Sequence, residues 1–152
     1  MKYFLNTLFV LTLACLFSAC SSQQAKKDNK TANKISIKKS WVRPANQGTN
    51  SAAYLTITNG TAQADTLLNV ASTAADMVGV HETYRNEQGM TGMKEAETII
   101  IQPDSSLILE PGGYHIMLMD LEKTLQEGDS VQIFFNFAVS GEKRIKAPVK
   151  NL

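Results

Sequence analysis

Residues 111–120 read PGGYHIMLMD, a glycine turn followed by an apolar run, and the rest of the chain is best understood outward from this stretch. In an extended strand, side chains two positions apart project from the same face. His115 and Met117 therefore share one face of the predicted strand, and Tyr114, Ile116 and Leu118 share the other. One strand thus presents an imidazole and a thioether side by side.

The two histidines of the chain, His81 and His115, lie at either end of a segment that contains methionines. Thioether sulfur is a soft ligand that suits Cu(I), and copper also accepts imidazole. Neutral thioethers have no proton to lose, so a site made with them would lose less affinity in acid than a thiolate site. The residue types therefore predict a Cu(I) site built from histidine and methionine.

The first residues are typical of an export signal. Residues 1–19 contain Lys2 and then a nearly uncharged apolar run, and they end in small residues directly before Cys20. Residues 16–20 resemble the lipobox of bacterial lipoproteins, with Phe17 where leucine is usual. We expect residues 1–19 to be removed and Cys20 to carry lipid, which would anchor the protein to a bacterial membrane on the periplasmic side of the cell envelope. The alternative is an ordinary signal peptide that happens to contain Cys15 and Cys20.

The remaining chain divides into a tether and one domain. Residues 20–33 are polar and lack apolar periodicity, so we expect a flexible tether before a domain at residues 34–152. Cleavage and lipidation would leave that domain without a free thiol. A thiolate-based zinc or copper site is therefore excluded, and so is a blue-copper electron-transfer centre, which needs a cysteine.

The domain is expected to be all-β. Residues 51–58 alternate between apolar and polar or aromatic side chains, which is a strand pattern, and no segment carries a sustained helical repeat. Eight or nine short strands separated by turn signals predict a sandwich or barrel. Asn59-Gly60 indicates a tight turn, although residues 61–64 prolong it, and residues 121–127 could be a helical turn or a loop. Further strand patterns occupy residues 35–42, 66–71, 77–84, 90–94, 98–102, 105–110, 114–120, 131–139 and 143–149, of which 78–84 and 90–94 should form a hairpin.

The spacing of the candidate ligands resembles that of a known family. Met93 is followed by 21 residues and then by His115-Ile116-Met117, and His81 precedes Met93. This pattern resembles the PCuAC family of periplasmic copper chaperones. The resemblance extends over residues 40–149, and it includes Trp41-Val42-Arg43 and the strand that contains Ala53-Tyr54.

The resemblance implies a cupredoxin-like Greek-key β-sandwich that binds one Cu(I) through His81, Met93, His115 and Met117. It also implies delivery of copper towards the CuA centre of cytochrome oxidase, with an oxidase subunit or a Sco-type thiol protein as the partner. In two respects the chain departs from the family: the spacing from His81 to Met93 is one residue longer, and Thr83 stands where the family often has methionine. Met90 therefore remains a rival for Met93, which we favour because its distance to His115 keeps the family spacing.

Other classes of function are less well supported. A net charge of +1 without a long basic stripe argues against nucleic-acid binding. The common catalytic motifs are missing, and Glu82 beside His81 is the only hint of a zinc hydrolase, so we expect that the protein is not an enzyme. The alternative to a copper chaperone is a lipid-anchored adhesion or assembly module without metal, in which the histidines are structural and the methionines fill gaps in the core.

Overall fold

The computed structural model describes residues 34–151, and all of the regular secondary structure in this range is β. The expected signal peptide, Cys20 and the tether lie outside the described residues. Residues 34–151 contain no helix that is long and apolar enough to cross a membrane. They form ten strands where eight or nine were expected: β1 Ile35–Val42, β2 Ser51–Asn59, β3 Asp65–Ser72, β4 Ala75–Arg85, β5 Thr91–Glu95, β6 Ile99–Ile101, β7 Ser106–Leu109, β8 Tyr114–Leu121, β9 Ser130–Phe137 and β10 Gly141–Pro148.

The strands form two sheets. The larger sheet has the order β1-β2-β7-β8-β4-β5, with β2 also pairing directly with β8, and the smaller sheet has the order β10-β9-β3-β6. The pairs are antiparallel apart from the single β7–β8 contact between Leu109 and Tyr114, which is parallel. The all-β sandwich predicted from the sequence is therefore confirmed.

The core lies between the two sheets and follows the alternation of the strands. In β9, every second side chain from Val131 to Phe137 is buried, and the rings of Phe135 and Phe137 stack with centroids 6.4 Å apart. The larger sheet contributes alternate residues of β2 and β8 to the same cluster. Because alternate side chains of a strand point to opposite faces, the residues between these core positions must lie on the outer face of the larger sheet.

The turn predicted at Asn59-Gly60 is a crossover instead. β2 and β3 belong to different sheets, so no hairpin joins them, and the chain passes from one sheet to the other through residues 60–64. The buried Asn59 side chain donates hydrogen bonds to the carbonyls of Gln63 and Ile101, at 2.8 and 2.9 Å, which fixes this crossover. The prediction failed because an Asn-Gly pair indicates a turn locally but does not specify which strand will pair next.

A second buried polar residue joins the start of β3 to the turn between β9 and β10. The Asp65 carboxylate accepts hydrogen bonds from the backbone N–H groups of Thr66, Val139 and Ser140, at 2.8 to 2.9 Å. Burial alone would raise the pKa of Asp65, but the hydrogen bonds from Ser140, Val139 and Thr66 outweigh it and hold the pKa below its ordinary value. Asp65 is therefore a structural carboxylate that supports the fold in its ionised form.

Two connections, the β4–β5 hairpin and the segment after β8, were also the subject of predictions. The hairpin expected between residues 78–84 and 90–94 is present as β4 and β5. Residues 122–129 form a loop, and the helical alternative is wrong because Leu125 pairs with Ala45 in an isolated bridge and its side chain is buried. Because the side chain of Leu125 packs in the core and its backbone pairs with Ala45, this segment is extended and not helical.

Candidate metal site

The outer face of the larger sheet carries the candidate ligands. Ile116 and Leu118 of β8 are fully buried in the core, so His115 and Met117 project from the opposite, outer face, as predicted. In β4, the buried Val80 faces the core, which turns His81 outward. The site is therefore placed on the sheet surface and not in the interior of the sandwich.

The two histidines are directly opposite each other on neighbouring strands. His81 of β4 pairs with His115 of β8, and their ring centroids lie 6.1 Å apart with an angle of 33° between the ring planes. Two imidazoles that share one metal ion through bonds of about 2 Å have centroids about 5 to 6 Å apart, because each centroid lies about 3 Å from the metal. The separation of the two rings is therefore compatible with binding of one ion by both imidazoles.

His115 is held in one orientation. Its side chain is only 4% exposed, and its Nδ1 lies 3.1 Å from the carbonyl oxygen of Gly113. A carbonyl can only accept, so Nδ1 must carry the proton and donate it, which leaves the lone pair of the neutral ring on Nε2. A metal-binding histidine typically has its second nitrogen fixed in this way. The turn that supplies the carbonyl requires Gly112, whose φ of 84° lies in the left-handed region.

Met117 has small residues on both sides. It pairs with Gly79 of β4 and with Ala52 of β2, so neither neighbouring strand places a bulky side chain beside the thioether. A methyl group placed on Gly79 would lie 3.5 Å from His81 Nε2 and 3.4 Å from Glu95 Oε1. The space above Gly79 is thus bounded by the candidate ligand His81. Gly79 and Ala52 were missed by the sequence analysis, since their importance depends on what lies opposite them.

Met93 lies at the edge of the same site. It pairs with Thr83 and lines, together with His115 and Met117, a cavity of about 220 Å³. Its side chain is 58% exposed on the short edge strand β5. Its rival Met90 lies just before β5, is 63% exposed and does not line this cavity. The geometry therefore favours Met93 over Met90.

An aromatic and cationic group forms the other wall of the cavity. Tyr54 and Arg43 line it, and Arg43 Nη2 donates to the Tyr54 hydroxyl over 3.3 Å. The Tyr54 ring lies 6.4 Å from the His115 ring and 4.5 Å from the Trp41 ring. In the sequence, Trp41, Arg43 and Tyr54 were only marks of a family resemblance. The pairing of Trp41 with Tyr54 across β1 and β2 brings them to the site.

The structure does not place Glu82 beside His81 as a zinc hydrolase site would require. Glu82 follows His81 directly, so its side chain points to the opposite face of β4, and it forms an ion pair with Lys94 at 3.4 Å. Within the described residues, no three His, Cys, Asp or Glu side chains converge as a possible metal site. The candidate ligands on this sheet face are the paired histidines His81 and His115 and two thioethers, and of these His115, Met93 and Met117 line the cavity.

Comparison with known proteins identifies the family. Residues 35–149 match the family described as "Putative lipoprotein LpqE-like". A protein of Leifsonia xyli subsp. xyli, described as "Putative lipoprotein Lxx21020", is 31% identical over 128 residues, which cover 84% of this chain and 76% of that protein. Protein RP573 of Rickettsia prowazekii is also 31% identical, over 73% of this chain and 64% of its own length.

Solved structures with the same fold include PCuAC domains. The copper-bound PCuAC domain of PmoF2 is 25% identical, with 80% of this chain and 96% of that domain covered and a TM-score of 0.63. The Cu(I) form of DR1885 from Deinococcus radiodurans is 28% identical over 79% of this chain and 82% of its own, with a TM-score of 0.59. The cupredoxin-like fold implied by the sequence resemblance is confirmed. The chain belongs to the LpqE-like lipoprotein family and has the fold of the copper-bound PCuAC domain of PmoF2.

Proposed function

We propose that this protein is an extracytoplasmic copper chaperone that binds one Cu(I) through His81, Met93, His115 and Met117. The observation that carries this proposal is the direct cross-strand pairing of His81 with His115 beside a cavity lined by Met93 and Met117. The copper-bound forms of PmoF2 and DR1885, which share this fold, support it.

The donor set suits Cu(I) in particular. Imidazole and thioether are neutral ligands, so the loaded site carries one positive charge, and thioether sulfur prefers the softer Cu(I). The hydrogen bond between His115 Nδ1 and Gly113 favours binding through Nε2, because it holds the ring in one tautomer.

The position of Met93 suits a carrier that must release its metal. Three donors come from β4 and β8, two strands in the interior of the sheet, whereas Met93 comes from the exposed edge strand β5. Removal of Met93 from the ion would open a coordination position on the solvent side. Thiolates of an acceptor could enter there, which fits delivery to a Sco-type thiol protein or to the CuA subunit of cytochrome oxidase.

The proposed location follows from the N-terminal segment and the family. A lipid on Cys20 and a tether over residues 20–33 would hold the domain close to a bacterial membrane, and the description of the family as lipoproteins supports this anchor. The domain would then work as a carrier at the membrane surface and not as an enzyme. The adhesion alternative offers no reason for two imidazoles and two thioethers to meet at one place.

The ligand assignment can be tested by Cu(I) competition with a chromophoric chelator. The protein used is a chain that begins at residue 20 and carries Cys20→Ser, so that no thiol competes for copper. We expect Met93→Leu and Met117→Leu to weaken Cu(I) binding, while the matched control Met90→Leu keeps the affinity of the unsubstituted protein. Weaker binding in Met90→Leu with no change in Met93→Leu would reassign the ligand, and no competition for Cu(I) at all would refute the proposed function.

A further inference from the structure

A second pair of methionines lies beside the candidate site on the same sheet face. Met77 of β4 pairs directly with Met119 of β8, and the next pair along the same face is Gly79 with Met117. Residues two apart in a strand share a face, so Met77 is aligned with His81 and Met119 is aligned with Met117. The outer face therefore continues from the candidate ligands to two further thioethers.

These two methionines do not serve the core. Met77 is 60% exposed and Met119 is partly buried, whereas their neighbour Leu118 is completely buried between the sheets. β4 and β8 are adjacent strands in the interior of the larger sheet, so the backbone positions of the pair are set by strand pairing. Two facing thioethers at such a place present soft donors to solvent.

The geometry of a cross-strand pair allows both sulfurs to reach one ion. Directly opposite residues have Cβ atoms about 4.5 to 5.5 Å apart. Two sulfurs bound to one ion, with bonds of about 2.3 Å, lie at most about 4.6 Å apart. Methionine has three rotatable bonds, so it can close this small difference without moving the backbone.

A group of carboxylates lies at the same end of β4 and β8 as the methionine pair, around a separate cavity that Met77 and Met119 do not line. Asp76 and Asp120 are the chain neighbours of Met77 and Met119, and with Glu122 they line a cavity of about 190 Å³. Carboxylates grouped in this way raise the local concentration of cations. Their hard oxygens are poor ligands for Cu(I), so the thioethers at this end of the sheet are the groups expected to hold it.

We propose that Met77 and Met119 form a second, weaker Cu(I) site, made of thioethers alone, at which the ion is received before it reaches Met117 and His115. This inference rests on the proposed function, because it takes Cu(I) as the cargo. Transfer needs only ligand exchange at constant oxidation state: a bond from copper to Met119 breaks as a bond to Met117 forms. Residues two apart in a strand are separated by about 7 Å, a distance that flexible methionine side chains can bridge.

The test is a Cu(I) titration followed by NMR of methyl-labelled methionine. A chain that begins at residue 20 with Cys20→Ser contains five methionines, namely Met77, Met90, Met93, Met117 and Met119. We expect the methyl signals of Met93 and Met117 to shift with the first equivalent of Cu(I). The signals of Met77 and Met119 should shift together with the second equivalent, while Met90, an equally exposed methionine without a methionine opposite it, stays in place.

The variants separate this inference from the proposed function. Met77→Leu and Met119→Leu should each abolish the second event, leave the affinity for the first equivalent unchanged and slow the loading of the first site, and Met90→Leu should do none of these. Signals of Met77 and Met119 that do not move up to two equivalents, or that move only together with Met90, would overturn the second site. A first equivalent that shifts neither Met93 nor Met117 would instead overturn the proposed function.

Discussion

Gly79 offers a sharp test, because a side chain there would occupy the space in front of His81 and beside Met117. The backbone at Gly79 lies outside the left-handed region, so the strand itself accepts other residues. In Gly79→Val, the γ carbons reach about 1.5 Å beyond a Cβ atom that already lies 3.5 Å from His81 Nε2. A methyl directed at the ring comes well inside the normal contact distance of about 3.5 to 4.0 Å, so the ring must turn away.

The expected loss of Cu(I) affinity in Gly79→Val is on the order of 10- to 100-fold, the range found when a group that orients a metal ligand is removed. The chelator competition measures this loss, and a thermal melt of the metal-free protein checks that the fold is intact. Gly79→Ala should have a small effect, because its methyl group meets its neighbours at ordinary contact distances. Thr56→Val, on the same sheet in β2, is the control. A folded Gly79→Val protein with undiminished affinity would refute the placement of the site.

The remaining predictions concern the framework of the site. Asp65→Asn should lower the free energy of unfolding at neutral pH by about 1 to 3 kcal/mol, because an amide nitrogen cannot accept the backbone hydrogen bonds; the exposed Asp104→Asn should change it by less than about 0.5 kcal/mol. The pKa of Asp65 is lowered in the folded protein, so its contribution to stability is present above its unfolded pKa and is lost as the pH falls towards its folded pKa. Chemical denaturation across this range should therefore show that acid lowers the free energy of unfolding less in Asp65→Asn than in the unsubstituted protein. Gly112→Ala should lower the free energy of unfolding by about 1 to 2 kcal/mol, because the φ of Gly112 is 84°. It should also weaken Cu(I) binding by displacing the Gly113 carbonyl from His115, and unchanged melting together with unchanged binding would contradict this. Phe135→Ala should lower the free energy of unfolding, measured by chemical denaturation, by about 3 to 5 kcal/mol. It should leave the metal affinity of the folded protein unchanged, because the buried Phe135 belongs to β9 of the smaller sheet.

The parts of this fold that could be predicted from the sequence are those set by local alternation. The shared face of His115 and Met117 follows from their spacing within one strand, and the hairpin of β4 and β5 follows from a clear turn signal. The crossover after Asn59 was mistaken for a tight turn because the choice of the next partner strand is a tertiary matter. Even the short strand β6 was located, since residues 98–102 carry a strand pattern, although the expected total of eight or nine strands was too low.

The parts that could not be predicted are those that depend on the register between strands. The sequence contains no sign that Gly79 and Ala52 flank Met117, or that Trp41 and Tyr54 meet beside His115, because these residues are distant along the chain. The sequence favoured Met93 over Met90 only by its spacing to His115, and it could not show that Met93 pairs with Thr83 and lines the cavity. Register is a product of the whole sheet, so a single strand cannot reveal it.

The most direct test of the central claim is X-ray absorption at the copper edge of the protein loaded with one equivalent of Cu(I), using the chain from residue 20 with Cys20→Ser. Ligation by His81, Met93, His115 and Met117 predicts both nitrogen and sulfur scatterers around a monovalent copper, with less sulfur in Met93→Leu and in Met117→Leu and less nitrogen in His115→Ala. A copper environment of nitrogen and oxygen alone, unchanged in the two methionine variants, would contradict the assignment of this face as a Cu(I) site.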